Sequence, residues 1–542
     1  MLGQMQQAPL LLTDILRHAL RNHGDQEIVT RLVEGGMHRY TYREAGARIA
    51  QLAHALKGMG IGMGDRVGVI GWNTHRQLEL YYALAGIGAV CHTINPRLGP
   101  ENAGYVMAHA GDKAVFYDAT FAPLAAGLAP FLKDVSHYVE LCPEGQVTEN
   151  GLKAQSYEAL IADQPTEYEW PTFDENTACA MCYTSGTTGK PKGVLYSHRS
   201  LVLETLVSGL PTSLGCEQGD VCLPVVPMFH VNAWGIPYGA LLLGLKLVLP
   251  GPGLDGPSLH ELIVKEEVTY ALGVPTVWLG LLAYVESNKL DFGKLKYSLI
   301  GGSALSEKLI KGYDKYGVRC RQGWGMTEMS PIGTVNMEPP GFYDKPVDER
   351  VPYMMRQGYA VPFVDMRIVK PDGTKLPHDG ESEGHLQVRG PWIIDTYYGF
   401  EENALTKDGW FDTGDVAVIH PDGAMQITDR AKDVIKSGGE WISSIDIENA
   451  ALNHPAVVQA AALGMPHPKW DERPLLVVQL AEGSEVDLEE VRSFVNQQVP
   501  KISAVDDVQR VDEIPLGATG KVLKTKLREA FADYTLPTVN VA

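Results

Sequence analysis

Ala178-Cys-Ala-Met-Cys-Tyr-Thr-Ser-Gly-Thr-Thr-Gly-Lys-Pro-Lys-Gly193 decides how the chain is read. Its first five residues are an apolar run of strand length. From Tyr183 to Gly193 there follow three glycines, four hydroxyl side chains between Thr184 and Thr188, and two lysines within eleven residues. Glycine frees the backbone to turn, and hydroxyl, amide and ammonium donors converge on an anion, so the segment predicts a phosphate-binding loop at the end of a strand. It is not a Walker loop: the spacing from Gly186 to Gly189-Lys190 is too short, and Pro191 stands where that motif needs Ser or Thr. A Gly/Thr-rich surface turn is the bland alternative. Cys179 and Cys182 mimic a redox or zinc pair, but on a strand they point to opposite faces and no second pair follows, so buried thiols are expected.

Around this loop the chain repeats a helical pattern, a short β-branched run and a Gly- or Pro-bearing turn. Examples are Arg66-Val-Gly-Val-Ile70 after the helical pattern of Tyr42 to Gly58, then Ala114 to Tyr117, and Lys246 to Leu249. That alternation predicts parallel or mixed sheets covered by helices. Val268 to Val285, the longest uncharged window, is interrupted by Gly273, Pro275 and Gly280 and reads as a buried strand and turn leading into a core helix, not a membrane span. From about Gly384 the texture becomes short alternating runs with Asp-Gly pairs at 408–409 and 422–423, which is hairpin chemistry. After Asp429-Arg-Ala-Lys-Asp433 come about 110 residues with their own helices (Ser444 to Leu452, Asp487 to Gln498) and a strand (Leu475 to Leu480), enough for a small domain joined by a polar hinge. Met465-Pro-His-Pro-Lys469 is expected to be a turn.

Composition narrows the function. A net charge of −20 over 542 residues repels polyphosphate backbones, so nucleic acid is a poor partner. Seven sparse cysteines argue for a reducing compartment, and the N-terminus lacks a signal pattern, so a cytoplasmic location and no transmembrane segment are expected.

The loop at 183–193 resembles that of the adenylate-forming superfamily, in its acyl-CoA synthetase branch, and further segments resemble that family's motifs in order along nearly the whole chain. Gly301-Gly-Ser-Ala-Leu305 resembles the lining of the adenine and acyl pockets, and Gln322-Gly-Trp-Gly-Met-Thr-Glu328 the adenine and magnesium motif, with Trp324 where Tyr is usual. Gly409-Trp-Phe-Asp-Thr-Gly-Asp415 resembles the ribose motif, Asp429 to Lys436 the hinge, and Ile514 to Lys521 the C-terminal catalytic loop. The resemblance implies an α/β fold: a large N-terminal adenylate-forming domain (1–431) of two mixed sheets with helices plus a small β-barrel, and a small mobile α+β C-terminal domain (432–542), hinged near Lys432.

It also implies site residues. Lys521, Glu328 and Thr184 would be catalytic, Glu328 and Thr184 holding Mg2+ through hard oxygens. Nucleotide contacts would come from Thr184, Ser185, Gly186, Thr187, Thr188, Gly189, Lys190 and Lys192, from Gly302, Ser303 and Ala304, and from Gln322, Gly323, Trp324, Gly325, Met326 and Thr327. Asp415 and Arg430 would take the ribose, although Asp415 in isolation reads equally as an Asx-turn. Lys432, Lys436 and Trp441 would complete the nucleotide set, and Gly438, Gly439 and Glu440 would pass the pantetheine of CoA. His230, Val231, Trp234 and Gly235, with Gly302 and Gly325, would wall the acyl pocket. His230 stands in place of the Asp that amino-acid-activating relatives use, which disfavours amino acids; a plain core histidine is the alternative.

The function so implied is a ligase that converts an apolar short-to-medium-chain carboxylic acid, fatty or methylthio, with ATP and CoA into acyl-CoA, AMP and pyrophosphate. The acyl wall and Gly438 to Ser443 look most like medium- and long-chain fatty-acyl-CoA ligases, and bacterial ligases acting on 3-methylmercaptopropionate are similar in pattern. Mg2+ is the implied cofactor, and relatives of this kind are often homodimers. A luciferase-like adenylating oxygenase and a non-catalytic acyl or AMP sensor are the rival readings.

Overall fold

The computed structural model describes residues 1–184, 190–438, 440–517 and 521–538. Its centre is two sheets with helices packed between and around them. The seven-stranded sheet runs, edge to edge, Gln155–Ser156, His137–Glu140, Asp112–Tyr117, Arg66–Ile70, Val90–Thr93, Ala178–Tyr183, Gly193–Ser197. Every pair is parallel except the last, where the strand before the phosphate loop turns back on the strand after it. The nine-stranded sheet is parallel from Arg319–Gly325 through Tyr297–Ile300, Tyr270–Gly273, Val221–Pro224 and Lys246–Leu249 to Glu27–Arg31, with antiparallel pairs at both edges.

Local chemistry fixes these elements where the sequence puts them. Helix Tyr42–Gly58 opens on a reciprocal capping box, Glu44 accepting from the Thr41 amide at 2.7 Å while the Thr41 hydroxyl accepts from the Glu44 amide. The window at 268–285 becomes strand Tyr270–Gly273 and helix Pro275–Asn288, with proline in the first turn, where its missing N–H costs nothing. Both cysteines of the apparent pair are buried and free, as are the other five. One apolar cluster joins both large sheets, with Tyr196 and Leu299 on strands and Tyr81, Tyr82 and Tyr238 on helices.

The hairpin region is a four-stranded antiparallel sheet, Asp365–Val369, Gly384–Arg389, Phe411–Ile419, Met425–Arg430. The expected barrel does not form: among the described residues the two outer strands do not pair, because four strands supply too little circumference to close. Gly423 turns the second Asp-Gly pair at φ 90°.

The smaller C-terminal part has its own sheet, Glu440–Ile442, Ile435–Ser437, Asp471–Leu480 and Val457–His467, with Asp507–Val511 parallel to Asp471–Leu480. Helices Ser444–Leu452 and Leu488–Asn496 bury Ile447, Val491 and Val495 against it. The segment at 465–469 differs from expectation: Met465–His467 ends a strand, and the turn falls at 468–470. Register explains it, since pairing with 471–473 continues to His467, and Pro466 lacks only an amide while its side chain is exposed. No helix among the described residues is long and apolar enough to cross a membrane.

Candidate active site

The phosphate loop is closed at its neck. The Thr184 amide donates to the Lys192 carbonyl at 2.9 Å, and the Lys192 amide donates to Thr184 Oγ1 at 3.2 Å. Lys190 lies over the Tyr105 ring (4.8 Å), and Lys192 over Tyr397 and Phe400 (4.7 and 5.6 Å), so aromatic faces hold both ammonium groups. Ser185, Gly186, Thr187, Thr188 and Gly189 lie outside the described residues, as does Gly439.

Beyond the loop, strand Gly193–Ser197 places Tyr196 so that its hydroxyl donates to the Thr327 carbonyl at 2.7 Å. This ties the loop's return strand to the short 3-10 turn Thr327–Met329, which carries Glu328. Glu328 is buried, accepts a hydrogen bond from Tyr397 at 2.8 Å and has its carbonyl held by the Ile394 amide. Burial raises its pKa, opposed by Tyr397, Arg430 and Lys192. Before the turn, Gly323, Trp324 and Gly325 pair with Val335, Thr334 and Ile332. A Cβ on Gly325 would fall 1.9 Å from the Pro331 carbonyl oxygen, so only glycine fits there. Gln322 is buried with Oε1 unpartnered among the described residues, and the Met326 amide donates to the Pro331 carbonyl.

Strand register builds the ribose candidates. Asp415 and Arg430 face each other across adjacent strands; Arg430 Nε lies 2.8 Å from Asp415 Oδ1, and Trp324 Nε1 donates to Asp415 Oδ2 at 3.2 Å. Asp415 is buried, which pushes its pKa up, against the pull of Arg430 and Lys521.

Lys521 arrives from the C-terminal part. Its loop is also closed at the neck, the Gly517 amide donating to the Lys521 carbonyl at 2.6 Å. A Cβ at Gly302 would lie 4.0 Å from Lys521 Cε, which puts the lysine against the exposed Gly302 and Ser303 that follow strand Tyr297–Ile300, with Ala304 half-buried behind them. Burial and Arg430 push Lys521 down to about 8, partly offset by Asp415 and Glu328. The lysine therefore stands among the two carboxylates that the sequence assigned to metal and ribose.

The acyl wall is built differently. Val231, Asn232, Ala233 and Trp234 all have positive φ, 45° to 56°, with Gly235 at 75°. A left-handed run of four non-glycine residues stores backbone strain and persists only where its surroundings over-determine it. Its flanks are held on both sides: Asn73 donates to the Pro224 and Val226 carbonyls (2.8 and 2.9 Å) and accepts from the Met228 amide (2.6 Å), Tyr81 bonds the Met228 carbonyl, and Tyr82 donates to the Pro237 carbonyl at 3.1 Å. The turn presses the Trp234 ring on Gly301, where a Cβ would stand 3.1 Å from the indole. His230 opens the turn beside Tyr183; burial, with the nearby Lys521 charge, pushes its imidazole down to about 4, so it is neutral at physiological pH.

The hinge candidates land around the C-terminal sheet. Lys432 sits exposed in the turn between Met425–Arg430 and Ile435–Ser437, its carbonyl facing Arg528; Lys436 is exposed, and Trp441 meets His385 edge-on at 6.1 Å. Glu440, also exposed, begins strand Glu440–Ile442. The open face of Gly438 is covered: a Cβ there would lie 2.9 Å from the Trp470 ring, and its amide donates to the Trp470 carbonyl. Sequence reading missed Trp470, Tyr397 and Lys524. Lys524, which the motif left anonymous, is 2.6 Å from Glu448 and 2.5 Å from Ser444 Oγ, while Ser444 binds Asp429 through both amide and hydroxyl. Nothing in local pattern distinguishes such partners, since they meet only through the tertiary fold.

Comparison with known proteins gives the family and the fold. The AMP-binding enzyme family matches residues 16–398, and the AMP-binding enzyme C-terminal domain matches 446–521. The chain belongs to the AMP-binding enzyme family. Among relatives of this AMP-binding enzyme, the 3-methylmercaptopropionyl-CoA ligase of Ruegeria lacuscaerulensis is 48% identical, covering 98% of this chain and 99% of the relative. The medium-chain-fatty-acid–CoA ligase of Ectopseudomonas oleovorans is 45% identical, covering 99% and 98%. In structure, ATP-bound MatB from Rhodopseudomonas palustris superposes with a TM-score of 0.80 at 25% identity, over 96% of this chain and 99% of that one.

Proposed function

We propose that the protein is an AMP-forming acyl-CoA ligase that takes an apolar short-to-medium-chain acid, fatty or methylthio, and uses ATP, Mg2+ and CoA. The observation that carries this reading is the convergence of Lys521 with Glu328, Asp415 and Gly302, from motifs more than 100 residues away in a chain related over its length to CoA ligases.

Joining a carboxylate to the ATP α-phosphorus brings two anions together. Lys521 is a compact ammonium that would bridge the attacking carboxylate oxygen and the α-phosphate as pyrophosphate departs. Lys190 and Lys192, held over aromatic faces, would draw the leaving phosphates. Glu328 and Thr184 fit Mg2+: one carboxylate and one hydroxyl suit an ion that keeps several waters, and among the described residues no group of three or more His, Cys, Asp or Glu forms a cage for another metal. When bound there, the ion would offset charge on the phosphates. Asp415 would accept the ribose hydroxyls, and the exposed Gly302 and Ser303 would line the adenylate. Thiolate attack by CoA on the acyl carbon would then release AMP.

For that second step the C-terminal part would turn about Lys432, between domains 1–431 and 432–542, and carry Gly438 to the pantetheine. Lys521 within the site supports the conformation described being the one for adenylation. A cytoplasmic enzyme, as a homodimer, completes the proposal. Relatives named as CoA ligases over the whole chain favour this reading over a sensor; an oxygenase would consume O2 with each adenylate. The test is acid-dependent pyrophosphate release from Mg-ATP across straight-chain, aryl and methylthio acids, with and without CoA. CoA-dependent turnover of an apolar acid is expected; no release with any acid would leave nucleotide binding alone.

A further inference from the structure

Behind the acyl wall lies a buried acid that none of the family motifs contains. Glu204 is on helix His198–Ser208, which follows the phosphate loop's return strand, and is wholly buried. Its Oε1 accepts from the Ser208 hydroxyl at 2.8 Å; Oε2 finds no partner among the described residues. That free oxygen points at the left-handed turn: a Cβ on Gly235 would stand only 2.7 Å from Glu204 Oε2, so the absence of a side chain at 235 is what leaves the acid its place. An otherwise apolar cavity, bounded by Ser208, Leu214, Gly235, Ile236 and Leu243, adjoins the same spot. Trp234 immediately precedes Gly235, and its indole lies on Gly301.

An unpaired polar atom in so apolar a place costs stability unless something bonds it. Burial pushes Glu204 up to about 8, so near neutral pH it is a carboxylic acid with a proton to donate. Among the described residues its unbonded oxygen lies against Gly235, in the turn assigned to the acyl wall.

We propose that Glu204 is a specificity residue for the acyl tail: with Trp234 displaced, its free oxygen donates a hydrogen bond to a heteroatom, thioether or ether, in the incoming acid. This deepens the acyl-CoA ligase reading and rests on it. An all-carbon tail of equal length fills the same space but leaves the acid unbonded, so the enzyme favours the heteroatom tail.

Pentanoate, 3-(methylthio)propanoate and 3-methoxypropanoate differ only in the atom at one position, which makes them the probe. Expected is a higher kcat/KM for the heteroatom acids than for pentanoate in the unmodified protein, by about fivefold, the scale of one hydrogen bond. Glu204→Leu should erase that preference, and Glu204→Gln, which still donates, should keep it within about twofold. The preference should also fade as pH rises through about 8 in the unmodified protein and not in Glu204→Gln; taking the ratio of two acids cancels every effect on chemistry they share. Equal loss for all three acids in Glu204→Leu, with Glu204→Gln behaving likewise, would make Glu204 a structural acid and overturn the proposal, as would a preference that survives Glu204→Leu. If the unmodified protein turns over none of the acids in the wider panel, it is the ligase reading that fails; turnover with no preference between isosteres leaves the ligase and removes the role of Glu204.

Discussion

The two halves of the site are held by different physics. On the nucleotide side, Asp415, Arg430, Trp324 and Glu328 are fixed by strand register and charged hydrogen bonds, and each polar group meets a partner of complementary charge or donor character. On the acyl side, a strained left-handed turn is clamped by neutral hydrogen bonds from Asn73, Tyr81 and Tyr82, and its histidine is uncharged. On the proposed roles, one half would recognise its ligand by charge, and the other by shape. The consequence is that charge changes should damage the first step sharply, whereas acyl-wall changes should redistribute substrates.

The largest effect should come from Lys521→Ala. Loss of a preorganised positive charge at the developing phosphorane is expected to slow carboxylate-dependent ATP–pyrophosphate exchange by about a hundred- to a thousandfold, while thioester formation from supplied acyl-adenylate is spared. Equal loss in both steps would erase the distinction between an adenylation face and the rest of the C-terminal part. Asp415→Ala should raise KM for ATP by about 10- to 100-fold with a smaller change in kcat, because it removes bonds made in ground and transition states alike. If KM for the acid moved instead, Asp415 would belong to the other half.

A pH profile tests the same contrast without mutation. Because Lys521 acts as an ammonium and sits at about 8, kcat/KM for the acid should be level below that pH and fall above it, reaching about a tenth of the plateau near pH 9. His230, near 4, should leave no inflection between pH 6 and 8. An inflection near 6.5 would mean that the acyl side titrates as well.

Legibility in the sequence follows the same division. Strands Arg66–Ile70 and Lys246–Leu249 and helices Tyr42–Gly58 and Ser444–Leu452 fall on their expected bounds, because periodicity and caps are local. The motif residues proposed for the nucleotide side stand out for a related reason: the chemistry of phosphate, ribose and carboxylate permits few residue types in few spacings. The barrel was misjudged because hairpin signals report pairing between neighbours and say nothing about whether the outer strands meet. Glu204, Lys524 and Trp470 were invisible because their meaning arises only where Gly235, Ser444 and Gly438 come to them in space. A left-handed turn at 231–234 has no sequence signature either, since Val, Ala and Trp are not residues that seek positive φ.

The smallest effect, and the one that most sharpens the comparison, is at Trp234. Its indole presses on Gly301 at the end of a strained turn, so in the proposed site it would limit the depth available to a tail without touching the phosphate chemistry. Trp234→Ala should therefore leave ATP binding unchanged and raise relative kcat/KM for longer straight-chain acids by about fourfold for each of the first added methylenes, the value of newly buried CH2 groups. Acids short enough to stop before the indole should gain nothing and lose a little from poorer packing. An unchanged chain-length profile would show that tails leave the site by another route, and a change in KM for ATP would show that the wall supports the nucleotide half as well as the acyl one.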